Sequence, residues 1–315
     1  MLENLEKAIL EIKEAFPGMT IRENEDMSLH SSMKVGGPVR ALAYPSDVMG
    51  LSKICCILKE HELAPLMLGN CTNTVFPDGG LENVFAISTE KLTRLFLLPD
   101  GAIYAEAGVS LAKLALFAQQ NGLAGLEFAS GIPGSIGGGM MMNAGAYGGE
   151  LKDVVESVLA YDLREGKLVE IPNADCDFSY RTSLFQKRDC YAVLGARFRL
   201  KPGEQAAIAA KSRELNEKRR DKQPLDLPSA GSAFRRPVGG FAAALIEQAG
   251  LKGYAIGGAQ VSEKHAGFVV NRGGATSQDV KALMVHIQKT VLEKCGVQLT
   301  PEMIMLPPEL ELLDK

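Results

Sequence analysis

The chain opens on a helical pattern: Leu2, Leu5, Ile9, Ile12 and Phe16 recur every three or four residues with Glu and Lys between them, which predicts an amphipathic helix. A polar segment follows and ends at Ser31-Ser32-Met33-Lys34-Val35-Gly36-Gly37-Pro38, where paired glycines and a proline allow a turn and a close backbone approach. A helix over about Pro45 to Glu60 leads to the short apolar run Pro65 to Leu68, of strand type, and then to the loop Gly69-Asn70-Cys71-Thr72-Asn73-Thr74. From Val84 to Leu200 the pattern is mostly of strand type (Val84 to Ser88, Ala102 to Ala107, Val154 to Asp162, Ala192 to Leu200), with one clear helix from Leu111 to Asn121. A charged helix over about Glu204 to Lys222 runs to a break at Pro224 and Pro228. Beyond it the pattern predicts a helix near Phe241 to Ala249, a long helix from Ser277 to Lys294 stopped by Gly296, and a strand-like Val297 to Leu299.

Those elements make an α+β protein. The proline-marked break predicts a boundary between a larger N-terminal body and a smaller C-terminal domain. With 315 residues and 46% hydrophobic content, the chain can bury more than one core. Its net charge of −4 comes from scattered charges of both signs, and the one basic cluster, Lys218-Arg219-Arg220, reads as a solvated helix end. Duplex nucleic acid, which calls for many converging cations, is therefore not an expected partner. The six cysteines show no zinc or CxxC spacing, so no metal site is expected and the thiols are expected to be reduced. No apolar run reaches the roughly 18 residues of a membrane span, and a cytoplasmic protein is expected.

The chemistry lies in two loops rich in Gly, Asn, Ser and Thr that follow strand-like runs. One is Gly69 to Thr74; the other is Gly131-Ile132-Pro133-Gly134-Ser135-Ile136-Gly137-Gly138-Gly139, continued by Asn143-Ala144-Gly145-Ala146-Tyr147-Gly148-Gly149-Glu150. Bare backbone N–H groups in such loops attract the phosphates of a dinucleotide. The glycine spacing is neither that of a nicotinamide-binding fold nor that of a nucleoside-triphosphatase loop, which leaves some other dinucleotide.

These loops, with Gly36-Gly37-Pro38, Tyr180-Arg181-Thr182-Ser183-Leu184-Phe185, Ala230-Gly231-Ser232-Ala233-Phe234 and Val261 to Phe268, resemble the UDP-N-acetylenolpyruvoylglucosamine reductases, in order and over nearly the whole chain. The resemblance implies a two-subdomain FAD-binding fold of the vanillyl-alcohol-oxidase type with a smaller α+β substrate domain. Expected boundaries are a lead-in over 1–30, an FAD-binding domain over 31–201 divided near 83/84, and a substrate domain over 202–315. It implies non-covalent FAD held by Gly36, Gly37, Gly69, Asn70, Cys71, Thr72, Asn73, Thr74, Gly134, Ser135, Gly137 and Gly138, with Asn143, Ala144 and Gly145 near the flavin ring or its chain. NADPH is the implied co-substrate, and no obligate protein partner or membrane contact is implied.

The same resemblance makes Arg181, Ser232 and Glu302 the catalytic residues in the reduction of UDP-N-acetylglucosamine enolpyruvate. A permanently charged guanidinium suits the growing charge on the enolpyruvyl carboxylate side, Ser232 is the candidate proton donor, and Glu302 would assist as a protonated carboxyl. Tyr180, Lys222, Arg235, Arg236, Lys252, Lys264 and His265 are candidates for the sugar nucleotide, with Arg236 and Lys222 favoured for the diphosphate. Arg236 stands where some family members carry asparagine, a departure from their pattern at the phosphate contacts. Phe185 is followed within a few residues by the next strand, as in the shorter type of the family, so closure would fall to the C-terminal domain, with a more open cleft in the absence of substrate. Two rival readings remain at this stage. One is an alcohol oxidase of the same fold, with Cys71 or His30 as a covalent tether; the other is a flavin-binding regulatory protein without turnover.

Overall fold

The computed structural model describes residues 2–188 and 190–310. Eight α-helices are found among them: α1 Leu2–Ala15, α2 Val48–Glu60, α3 Leu111–Gln120, α4 Ile136–Met142, α5 Leu184–Lys187, α6 Gln205–Lys222, α7 Ala242–Gln248 and α8 Ser277–Cys295. The helical stripe read at the start of the chain buries Leu5, Ala8, Ile9 and Ile12 of α1 against α2 and a sheet. Each of the Leu and Ile side chains among them contributes about 1.5–3 kcal/mol.

That sheet has four strands in the order Thr20–Asp26, Pro38–Tyr44, Leu81–Ser88, Leu66–Leu68; the first pair is antiparallel and the others parallel. The Thr20–Asp26 strand lies in the segment read from sequence as merely polar. It is an edge strand with mostly exposed side chains, so its place comes from pairing with Pro38–Tyr44 rather than from burial. Arg40, on that partner strand, fastens α1 and the edge together by donating to Glu6 (2.6 and 2.8 Å) and pairing with Glu23 (2.7 Å).

A five-stranded antiparallel sheet follows, in the order Lys167–Pro172, Val155–Asp162, Tyr191–Phe198, Ile103–Glu106, Leu95–Leu97. On it pack α3 and α4, with Leu111, Leu114, Ile136 and Met140 in one apolar core. The sequence alone presents α4 as a glycine loop. Glycine inside a helix costs up to about 1 kcal/mol relative to alanine, but here it allows close packing. A Cβ on Gly139 would lie 2.8 Å from Leu151 Cδ1 and one on Gly137 3.2 Å from Ala107 Cβ, so the two glycines let α4 settle against the turn at Leu151 and the end of the Ile103–Glu106 strand.

The third sheet runs Ser229–Ser232, Phe268–Asn271, Ala259–Val261, Ala255–Ile256 and is covered by α7 and α8. Thr276 caps α8 and Gly296, in the left-handed region (φ 68°), ends it. Val297 to Leu299, expected as a strand, is not one: it packs Val297 and Leu299 onto this core without a ladder partner. The strand comes later, where Ile304–Met305 pairs in parallel with Thr74–Val75.

The C-terminal unit is tied to the first sheet's loops at several points. Ser277 Oγ and its backbone N–H donate to the Asp78 carboxylate (both 2.7 Å), Ser32 Oγ donates to Ser229 O (2.7 Å), and Asn271 Nδ2 donates to Met33 O (3.0 Å). Met33, Val35 and Val75 are part of its apolar core.

Candidate active site

The Gly69 to Thr74 loop and the start of α4 meet face to face. A Cβ on Gly69 would stand 2.6 Å from Ser135 Oγ and 3.7 Å from the Gly138 backbone nitrogen, so only glycine fits there without displacing a neighbour. Thr72 Oγ1 donates to Pro133 O (3.2 Å) and joins the loops at their edge. Ser135 Oγ is buried with no partner among the described residues, and the backbone N–H groups of Asn70, Cys71 and Thr72 likewise donate to nothing there. Buried polar groups are normally satisfied, so a cradle of this kind is complete only with an acceptor-rich ligand in it. A dinucleotide diphosphate is such a ligand, and the residues present fit it.

Not every glycine of the expected cofactor set faces that cradle. Gly36 and Gly37 are required by a close approach elsewhere: a Cβ on either would strike Phe76 or the Asp78 backbone, and Gly37 N–H donates to Pro77 O. Gly137 is buried under the sheet, while Gly138 and Gly134 remain accessible beside the first loop. Asn143 is fully buried. Its Nδ2 donates to Glu150 Oε2 (3.0 Å) and Ser179 O (3.1 Å), and its Oδ1 accepts from Lys152 N–H (3.0 Å). Ala144 spends both its backbone groups on Gly139 and Leu151.

The Asn143 bracket holds the turn that carries Arg181. That turn is closed by paired backbone bonds between Ser179 and Thr182, and Arg181 sits in the left-handed region (φ 55°). From there Arg181 Nε donates to Glu302 Oε1 (2.7 Å) and Nη2 to Gly145 O (3.0 Å), and its guanidinium stacks 5.2 Å from the Tyr180 ring centroid. Glu302 is brought to it by the C-terminal segment: its N–H donates to Ala233 O (2.9 Å) and its carbonyl accepts from Asn73 Nδ2 (3.1 Å). Burial pushes the Glu302 carboxyl above the ordinary glutamate range, outweighing the charges of Arg181 and Arg235 that draw it down.

Ser232 ends the Ser229–Ser232 strand, next to Ala233, which accepts from the Glu302 N–H. It is no helix cap, since the next helix starts only at Ala242. Gly231, just before it (φ 74°), faces the Thr72 carbonyl of the first loop. The three expected catalytic residues are thus gathered beside the cradle, with Arg181 and Glu302 in direct contact.

The expected substrate cations divide. Lys222 and Arg236 are exposed and make no ion pair among the described residues; Arg236 stacks over Phe241 (4.6 Å) and donates its N–H to Tyr180 Oη (3.2 Å). Lys252 pairs with Glu247 (3.0 Å), and Lys264 Nζ donates to the Arg220 carbonyl at the end of α6 (2.7 Å). Arg235 reaches the Arg181 carbonyl (3.4 Å) while its Nε is buried without a partner. Burial lowers the His265 pKa; a backbone hydrogen bond and Glu247 oppose this, and Lys222 and Lys252 add to it. The His265 Nδ1 accepts from Gly267 N–H (3.2 Å).

One reading of the basic cluster needs correcting. Lys218 and Arg220 are solvated, as expected of a helix end, but Arg219 is not. It lies one helical turn beyond the buried Leu215, on the inward face of α6. Against the covalent-tether reading, Cys71 is 8% exposed with its thiol pushed up to about 12 by burial, and His30 is engaged by Glu25 (2.8 Å).

The cradle, the two-sheet body around it and the docked third sheet make up a flavin-dependent oxidoreductase with an FAD-binding domain. Residues 39–172 match the FAD binding domain family, and residues 223–306 match the C-terminal domain of UDP-N-acetylenolpyruvoylglucosamine reductase. The chain belongs to the UDP-N-acetylenolpyruvoylglucosamine reductase family. It is 47% identical to the reductase of that name from Caldanaerobacter subterraneus over 281 residues, covering 89% of this chain and 91% of the relative. It is 45% identical to the one from Limosilactobacillus fermentum, covering 91% and 94%. The reductase structure from Thermus caldophilus superposes with a TM-score of 0.77 at 28% identity, covering 92% of this chain and 99% of that one.

Proposed function

We propose that the chain catalyses the NADPH-dependent, FAD-mediated reduction of UDP-N-acetylglucosamine enolpyruvate to UDP-N-acetylmuramate, a step in the synthesis of peptidoglycan precursors. The observation that carries this is the Arg181–Glu302 pair, held beside both Ser232 and an open dinucleotide cradle. Gly69 to Thr74, with Gly134, Ser135 and Gly138, would hold FAD, which when bound would supply hydride drawn from NADPH. Arg181 turns positive charge toward the substrate's carboxylate as electron density grows there. Ser232 Oγ gives the proton that completes the saturated ether, and Glu302, whose carboxyl burial shifts toward the protonated form, steadies the enol oxygen when it carries its proton. Lys222 and Arg236, exposed and unpaired, are the cations proposed for the diphosphate, with Tyr180 orienting Arg236.

The division into a lead-in, an FAD-binding domain to residue 201 and a substrate domain beyond it belongs to the same proposal. Separate cores under the second and third sheets support two main units, while Leu215 of α6 packs in the core of the second sheet and the C-terminal family match begins at residue 223, which favours a boundary after α6 over one at residue 201. A cytoplasmic setting belongs to the same proposal, in keeping with six free cysteines and with the absence, among the described residues, of a helix long and apolar enough to cross a membrane. The test is spectroscopic. The purified protein should be yellow, bleach with NADPH in the absence of oxygen, and recover its colour when the enolpyruvyl sugar nucleotide is added. Failure to recover colour would sink the assigned substrate.

A further inference from the structure

Arg219 carries a charge that nothing in the protein answers. Its stem is fixed by a close approach of α6 to the second loop: a Cβ placed on Gly131 would come within 3.2 Å of Arg219 Cδ and closer still to Asn216 Oδ1. Among the described residues its side chain makes no hydrogen bond and no ion pair, although Lys211 and Lys218 on the same helix both pair with Glu214. Burial holds its pKa below the usual arginine value; Tyr147 opposes this shift and the like charge of Arg181 adds to it, while no carboxylate takes part. A half-buried guanidinium without a counter-ion is costly. It is understandable where an anion arrives with the substrate.

The neighbouring arginine leaves room for that anion. Arg181 has given Nε to Glu302 and Nη2 to the Gly145 carbonyl, so it cannot offer a two-pronged fork to a second carboxylate while it holds them. A carboxylate has acceptor sites on two oxygens, and charge builds beyond one unit when the alkene next to it gains a hydride. We propose that Arg219 is the second cation for the enolpyruvyl carboxylate, gripping it together with the free edge of Arg181. This rests on the proposed function. It gives the inward face of α6 a part in recognising the acidic arm of the substrate, apart from the cations that meet the diphosphate.

The test compares two ligands on the FAD-loaded enzyme, following the change in the flavin absorption band on binding. UDP-N-acetylmuramate carries the carboxylate, whereas UDP-N-acetylglucosamine has the same diphosphate and none. Arg219→Gln should weaken the first by about 10–100-fold, the scale of a charge-assisted hydrogen bond, and the second by less than about threefold. Arg219→Lys, which keeps the charge and loses the fork, should fall between, and provides the same ratio if the glutamine variant does not fold. Equal weakening of both ligands would assign Arg219 to the diphosphate and overturn the proposal; so would no weakening of either. If the unmutated enzyme does not turn over the enolpyruvyl sugar nucleotide, the functional reading itself fails, and that result is distinct from any behaviour of Arg219.

Discussion

Arg181 Nε donates to Glu302 Oε1 at 2.7 Å across 121 positions of sequence, and the carboxyl it meets is nevertheless held above the ordinary glutamate range by burial. The pair is therefore both an anchor and a source of an unusually basic carboxylate. Glu302→Gln keeps an acceptor for Arg181 but has no acidic proton. Turnover should fall by at least ~10²-fold, the scale of a positioned acid, and the alkaline limb of the kcat profile should disappear. A glutamine variant that retains that limb would assign it to another group.

The same shift bears on stability. Folding favours the protonated form of Glu302, so its contribution is fully present below the unfolded glutamate pKa and is lost as pH rises through the higher folded value. Between about pH 5 and 8, Glu302→Gln should lose less Tm than the parent chain, measured by thermal melts of matched FAD content. A parallel pair of curves would place the folded pKa at its ordinary value.

Ser232→Ala should leave reduction of the bound flavin by NADPH near the parent rate. Reoxidation by the enolpyruvyl substrate should slow by at least ~10²-fold in stopped-flow traces. Unchanged reoxidation would remove Ser232 as the donor.

Gly69→Ala places a methyl 2.6 Å from Ser135 Oγ, in the middle of the cradle. It should lower the FAD retained on purification, read from the ratio of visible to ultraviolet absorbance. Adding Ser135→Ala should restore part of it, because the obstructing oxygen is removed. A double variant no better than the single one would show that the contact does not set the spacing of the loops.

Asn143→Ala removes three hydrogen bonds from a fully buried bracket; it leaves the Lys152 amide without its partner and the Ser179 carbonyl with only the Thr182 amide. A group orphaned in this way costs about 1–3 kcal/mol. Because the bracket holds the Arg181 turn, kcat should fall more than FAD affinity; an equal loss of both would mark a role in folding alone.

Much of this arrangement is legible along the chain, and the failures have physical causes. Helices α3 and α8 are marked by period, with Ser110 and Thr276 standing as caps, and α6 by its charged run. The Thr20–Asp26 strand is not marked, because an edge strand held by its neighbour's ladder needs few buried side chains. Helix α4 escapes because Gly137 and Gly139 are selected by close packing against Ala107 and Leu151, a property of the folded neighbourhood and not of the segment. The motifs locate Arg181, Ser232 and Glu302, but no local pattern shows that Ala233 and Asn73 hold Glu302 in place. Arg219 is lost for a geometric reason: three consecutive cations look like one charged patch in sequence, yet successive residues of a helix point roughly 100° apart.

Asn73 and Glu302, bonded to one another, stand 229 residues apart. The carboxyl and the cradle therefore share one support: the parallel pairing of Ile304–Met305 with Thr74–Val75 sits just past both residues of that bond. A change that loosens this short ladder shifts the acid and the dinucleotide loop together, so damage to either half of the site is felt by the other.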